Sequence, residues 1–185
     1  MKIGFTGTKD GCTEKQLKSL DKILKKLNQK YEYIEWHQGD CIGADADSTL
    51  LVAKNGYVQK IITHPPVNSS LRSYVIENNL KSFPNGIMIE VLEERDYLDR
   101  NKNIVKACTL LIVCPKEENE ILRSGTWATY RNARKLNKNI IVIKPNGSLC
   151  KWPDDKLIQK FKRKVKNAKK ENATTEANSE DPGSI

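Results

Sequence analysis

Residues 2–27, KIGFTGTKDGCTEKQLKSLDKILKKL, and residues 32–54, EYIEWHQGDCIGADADSTLLVAK, repeat one grammar: an apolar run, a turn containing glycine, then a helix. In the first copy, residues 2–6 are a buried strand running into the tight turn Gly7-Thr8-Lys9-Asp10-Gly11. Thr13 with Gln16 three residues later has the form of a capping box. Leu17, Leu20, Leu24 and Leu27 then recur at helical spacing. In the second copy, residues 32–37 form the strand, 39–45 the turn and 46–54 a helix that stops at Asn55-Gly56.

The same alternation extends to residue 147. Residues 58–63 (VQKIIT) are a third strand, which leaves into His64-Pro65-Pro66, where two prolines exclude regular structure. A short helix near 69–79 and a strand over 87–92 (IMIEVL) follow, the latter without an evident partner. Helical spacing returns at Tyr97, Arg100 and Ile104. Residues 109–114 (TLLIVC) are the most apolar strand, ended by Pro115. Ser124-Gly125-Thr126 opens a helix to about Leu136, and residues 140–144 (IIVIK) close the series. Continuous apolar strands alternating with amphipathic helices predict a single α/β domain, a Rossmann-like parallel sheet with helices on both faces. Such sheets bind ligands beyond the carboxyl ends of their strands, so the turns after them should converge on one edge.

The 185 residues leave room for one such domain and a tail. The net charge is +9; residues 151–172 carry nine Lys and Arg against three Asp and Glu, residues 173–185 return −3, and the remaining 150 residues keep a diffuse +6. We expect a basic, partly helical extension over 148–172, with Trp152, Leu157, Ile158, Phe161 and Val165 at near-helical spacing, and a disordered end over 173–185. The N-terminus has no long apolar stretch, and no run approaches the roughly 20 residues needed to span a bilayer, which predicts a cytoplasmic protein without membrane contact. Five scattered cysteines without a Cys-x-x-Cys pair argue against a disulfide framework or structural zinc. No metal or cofactor is expected.

Turns between parallel strands and helices leave backbone N–H groups at the positive end of the helix, where phosphate binds, and glycine lets a ligand approach them. Neither G-x-G-x-x-G nor G-x-x-x-x-G-K-[ST] is present, which disfavours a standard dinucleotide site or ATPase loop. Candidate ligand contacts are therefore Gly7, Thr8 and Lys9 in the first turn, Gly39, Asp40, Gly43, Ala44 and Asp45 in the second, and Ser124, Gly125 and Thr126 in the third. His64 stands at a strand end, suited to a base or ribose contact or to a structural hydrogen bond. Arg72, Arg100 and Arg123 could fork onto a phosphate, with Lys9 as a point charge beside them. Trp127 either stacks on a base or packs in its helix. Asp40, Asp45 and Asp47 are the carboxylates available for chemistry at a sugar carbon, helix capping being the alternative role, favoured for Asp47. Cys41 is read as a small turn residue and His37 as a strand residue.

The run from Gly39 to Asp47, the first strand ending in Gly7-Thr8 and the late Ser124-Gly125-Thr126-Trp127 resemble the SLOG superfamily, which includes the DNA-processing DprA proteins and the LOG phosphoribohydrolases. The His64-Pro65-Pro66 loop, the Arg100-Asn101 pair and the turn from Arg123 to Trp127 are shared with small stand-alone members. The resemblance covers residues 1–147. It implies a Rossmann-like fold, homodimerisation and a nucleotide or nucleotide-derived ligand, with Arg100, Asn101 and Arg123 joining the contacts. Where LOG enzymes place a glutamate beyond the threonine turn, this chain has Thr129. A sensor-type nucleotide-binding domain is thus the leading expectation. The alternatives are a hydrolase or transferase acting on an N-glycosidic bond with Asp45 and Arg100 as participants, and a DprA-like single-stranded nucleic-acid binder using the basic tail.

Overall fold

A computed structural model describes residues 1–79, 83, 84 and 86–153. Strands β1 (Lys2–Gly7), β2 (Glu35–Gln38), β3 (Lys60–Thr63), β4 (Met88–Val91), β5 (Leu110–Cys114), β6 (Asn139–Ile143) and β7 (Leu149–Trp152) form one sheet in the order β4-β3-β2-β1-β5-β6-β7. Helices α1 (Glu14–Lys30), α2 (Ala44–Lys54), α3 (Val75–Asn79), α4 (Tyr97–Ala107) and α5 (Gly125–Lys135) connect them, with a short 3-10 turn at Ser69–Leu71. Every pairing is parallel except β6 with β7. This is the Rossmann-like α/β architecture expected from the alternation.

Strand β5 explains the two covered faces. Its side chains alternate by the two-residue period of a strand. Leu110, Ile112 and Cys114 join a core containing Phe5, Leu20 and Leu24, with Val52 and Ala53 of α2. Leu111 and Val113 join a second core with Val105 of α4, Cys108 just after it, and Trp127 and Ala133 of α5. All five β5 residues are buried, each apolar side chain contributing on the order of 2 kcal/mol, so this strand is central and fixes the sheet.

The edges are less visible in the sequence. β4 pairs with β3, Ile89 opposite Ile61, and its half-exposed residues explain why its pattern named no partner. At the other edge the sheet continues past Gly147. Lys144 and Ser148 close a turn, and residues 149–152 return antiparallel along β6 with three of four exposed. Residues 149–152, the start of the basic, partly helical extension expected over 148–172, are thus strand; the remainder of that extension and the disordered end expected over 173–185 lie, from residue 154, outside the described residues.

The strand order reverses at β1. The chain moves outward through β2, β3 and β4, then returns to add β5 on the opposite side of β1. The carboxyl ends of β1 and β5 therefore frame the crevice where open α/β sheets hold their ligands.

Candidate functional site

A pocket of about 430 Å³ opens at that crevice. It is lined by Gly7, Thr8, Lys9 and Asp10 after β1, by Cys41, Ile42 and Asp45 after β2, by Tyr97, Arg100 and Asn101 on α4, and by Lys116, Glu117 and 123–126 after β5. Leu71 reaches in from the 3-10 turn. Of the candidate contacts, Gly7, Thr8, Lys9, Asp45, Arg100, Asn101, Arg123, Ser124, Gly125 and Thr126 share this one pocket.

The floor is a buried ionic group. Arg100 is 3% exposed and Asp45 7%. Nη1 of Arg100 stands 3.7 Å from Oδ2 of Asp45, and Nη2 donates to the Cys41 sulfur at 3.2 Å. The Cys41 N–H donates to the same Asp45 oxygen at 3.2 Å. Burial raises the Asp45 carboxyl to about 6, partly offset by the Arg100 charge and the backbone donors. Burial likewise pushes the Cys41 thiol up to about 11, which keeps it protonated and removes it as a nucleophile at neutral pH. The guanidinium of Arg100 lies 5.1 Å from the centre of the Tyr97 ring, on the first turn of its own helix.

Two glycines make room for this floor. A side chain at Gly39 would overlap the Arg100 guanidinium, and Gly43, at φ 88, caps α2 where a Cβ would strike the carbonyls of Thr8 and Lys9. Ala44 then donates its N–H to the Thr8 carbonyl at 2.9 Å. Gly39, Gly43 and Ala44 thus shape the pocket from behind without lining it. Asp47 holds the first turn from the same helix, its carboxylate accepting from the Cys12 N–H at 2.8 Å.

Asp40 has another task. It is fully buried at φ 54, accepts from Arg72 Nε at 2.7 Å and Ser73 Oγ at 2.9 Å, and Arg72 extends to Glu77 and Glu94. This network consumes both Asp40 and the phosphate-fork candidate Arg72. It also pulls the 3-10 turn over the pocket, where Ile42 N–H donates to the Leu71 carbonyl at 3.0 Å.

His64 faces elsewhere. It is buried, with Nε2 3.1 Å from Nδ1 of His37, whose Nε2 in turn lies 3.5 Å from the Glu35 carboxylate. Burial, with the neighbouring His37 and Arg100, drives His64 down to about 4 and burial also lowers His37, so both rings are neutral at physiological pH. Trp127 packs in the second core, edge-on to Tyr130, and its indole N–H donates to Glu117 at 3.0 Å. Thr129 donates back to the Gly125 carbonyl. The packing alternative for Trp127 is the one adopted.

At the opposite wall, Ser124 caps α5, accepting from the Trp127 N–H at 3.4 Å, and Thr126 donates its hydroxyl to the Gly7 carbonyl at 2.8 Å. The N–H groups of Gly125 and Thr126 meet no acceptor among the described residues. Lys9 and Arg123 are exposed and make no ion pair among the described residues, whereas Lys116 is held by Asp10 at 2.7 Å. The positive end of a helix favours negative charge, and nearby cations add to that field.

Sequence reasoning missed Tyr97, Leu71, Ile42, Lys116 and Glu117. Lys116 carried a signal, following Pro115 at the end of the central strand. Leu71 carried none, since it arrives through the long-range Asp40 network. Among the described residues no group of His, Cys, Asp and Glu is assembled to hold a metal ion, and no helix is long and apolar enough to cross a membrane.

No protein-family model matches the chain, and no curated protein matches it in sequence. Among solved structures it is similar to DNA processing protein A from Helicobacter pylori, a single-stranded DNA binder, with 19% identity and a TM-score of 0.52, over 77% of this chain and 64% of that one. This chain therefore spans less than two thirds of that protein. It is also similar to the molybdenum cofactor binding protein of the phototrophic bacterium Rippkaea orientalis, at 17% identity and TM-score 0.53, covering 90% and 84% of the two chains. A third likeness is to the structural genomics target TM1055, at 14% identity and TM-score 0.52, over 80% and 76%. At these identities the likenesses establish the fold alone, a Rossmann-like α/β architecture.

Proposed function

We propose that the pocket binds a nucleotide or nucleotide-derived small molecule, its phosphate at the N-terminus of α5 between Lys9 and Arg123. The observation that carries this reading is the pairing, in one pocket, of an open helix N-terminus flanked by free cations with a floor of Asp45, Arg100 and Asn101. The first end suits a phosphate, with charge-assisted donors. The second suits sugar hydroxyls, which need both donors and acceptors. The aromatic and apolar rim of Tyr97, Ile42 and Leu71, exposed by 39, 45 and 37%, supplies a surface for a base. The fold shared with proteins that bind a cofactor or single-stranded DNA is compatible with such a ligand.

Thermal denaturation of the full chain against a panel of nucleosides and their mono-, di- and triphosphates tests it. A ligand at 100 times its Kd adds about 2.7 kcal/mol, a rise of several degrees in Tm. Stabilisation by phosphorylated members but not by the parent nucleosides is expected. An unchanged Tm across the panel overturns the reading.

A second reading, cleavage or transfer at an N-glycosidic bond, is favoured by the Asp45 carboxyl. A group that burial lifts to about 6 exchanges protons near neutral pH, as general acid–base chemistry requires. Free base released from a nucleoside monophosphate, and abolished by Asp45→Asn, would establish turnover. Binding without release from any monophosphate leaves the sensor-type reading alone.

A further inference from the structure

Helix α1 presents a charged face that the pocket does not use. Its inward side buries Gln16, Leu20 and Leu24, with Ile23 and Leu27 packed against the same core. At 100° per residue, Lys15, Lys18, Lys22, Lys25 and Lys26 fall within an arc of about 100° centred opposite that buried side. All five are exposed. Four make no ion pair among the described residues, and the fifth, Lys18, meets Glu14 only at 3.9 Å with both side chains in solvent. The helix's other acidic residue, Asp21, borders the stripe but is engaged, accepting a hydrogen bond from the Tyr57 hydroxyl at 2.8 Å.

We infer that this face is a docking surface for a nucleic-acid strand, gripped through its phosphates. Successive lysines three or four residues apart rise about 5 Å along the axis, and the stripe from Lys15 to Lys26 runs about 16 Å. Phosphates advance about 3.4 Å per nucleotide along one strand of a duplex, so each lysine has a phosphate within reach of its flexible stem. Lysine without arginine or aromatic neighbours suits backbone contact that carries no base sequence. An anionic membrane is the weaker partner, because the apolar face that would enter the lipid is already spent on the core.

Binding of a fluorescent single-stranded 30-mer to the full chain, followed by anisotropy from 50 to 200 mM salt, tests the assignment against the triple variant Lys18→Gln, Lys22→Gln, Lys25→Gln. Each lost phosphate contact on a single strand flattens the slope of log K against log salt by about 0.7, so the variant should bind at least tenfold more weakly at 50 mM with a slope shallower by about 2. Because all three side chains lie in solvent, the Tm of the variant should match that of the wild type. Affinity and slope unchanged in the variant would overturn the inference, as would a wild-type chain that ignores the oligonucleotide. Binding that appears only with vesicles containing phosphatidylserine would overturn it in favour of a membrane surface.

Discussion

Two helices of this protein begin at a glycine turn beside the same pocket, and only one of them is open. At α2 the Thr8 carbonyl sits on the Ala44 N–H, and Asp45 and Asp47 place carboxylates in the first turn. The positive end of that helix is answered from within the chain. At α5 there is no acidic residue in the first turn, and Lys9 and Arg123 add positive charge instead. The same strand–turn–helix grammar thus yields a structural joint in one place and, in the other, an open end at which we propose an anion binds. Glycine creates access to a helix terminus; the charges around it decide whether a ligand is needed there.

If that contrast holds, damage at the α2 end should cost folding and damage at the α5 end should cost only binding. Arg72→Ala should have the largest effect, leaving the Asp40 carboxylate buried and unpaired, a loss of about 4 kcal/mol in urea denaturation. Gly43→Val should lose about 3 kcal/mol by the same measurement, since a branched side chain at φ 88 is strained and would strike the Lys9 and Thr8 carbonyls. Either variant retaining wild-type stability would show that the α2 end is not a structural joint.

The pH dependence sharpens it. Asp45 titrates near 3.8 unfolded and about 6 folded, so between those values the native chain holds more protons and stability falls as pH rises, by about 3 kcal/mol. His64 moves oppositely, from 6.5 unfolded to about 4 folded, so stability rises across nearly the same interval. The two trends oppose one another in the wild type. Asp45→Asn should therefore steepen the gain in stability from pH 4 to 6.5, and His64→Gln should reveal the falling limb. Unfolding free energies measured across that range should diverge between the two variants, and parallel profiles would remove the buried carboxyl from the pocket floor. The smallest expected effect on stability belongs to Lys9→Ala and Arg123→Ala, within about 0.5 kcal/mol, because both side chains stand free in solvent.

How much of this was legible in the sequence follows from what each residue interacts with. The capping box of Thr13 and Gln16 was readable because its partners lie three residues apart, and both of its hydrogen bonds are present. β5 was readable because burial on two faces demands an unbroken apolar run. β7 was not, as Leu149, Cys150 and Lys151 face solvent and carry no pattern. In the pocket, turn glycines and flanking basic residues announced themselves locally. The division of labour between Asp40 and Asp45 did not, because it is set by Arg72 and Arg100, 32 and 55 positions away in sequence. The same holds for His64, whose place at a strand end suggested a ligand contact and whose ring instead meets His37 across the sheet.

Thermal denaturation of the full chain with and without saturating nucleoside phosphate, for the wild type and for the Lys9→Ala, Arg123→Ala double variant, tests most directly that α5 supplies the phosphate site. The two ligand-free Tm values should coincide, and the stabilisation seen in the wild type should be lost from the variant. A double variant stabilised as fully as the wild type, or a wild type that no nucleotide stabilises, would contradict it.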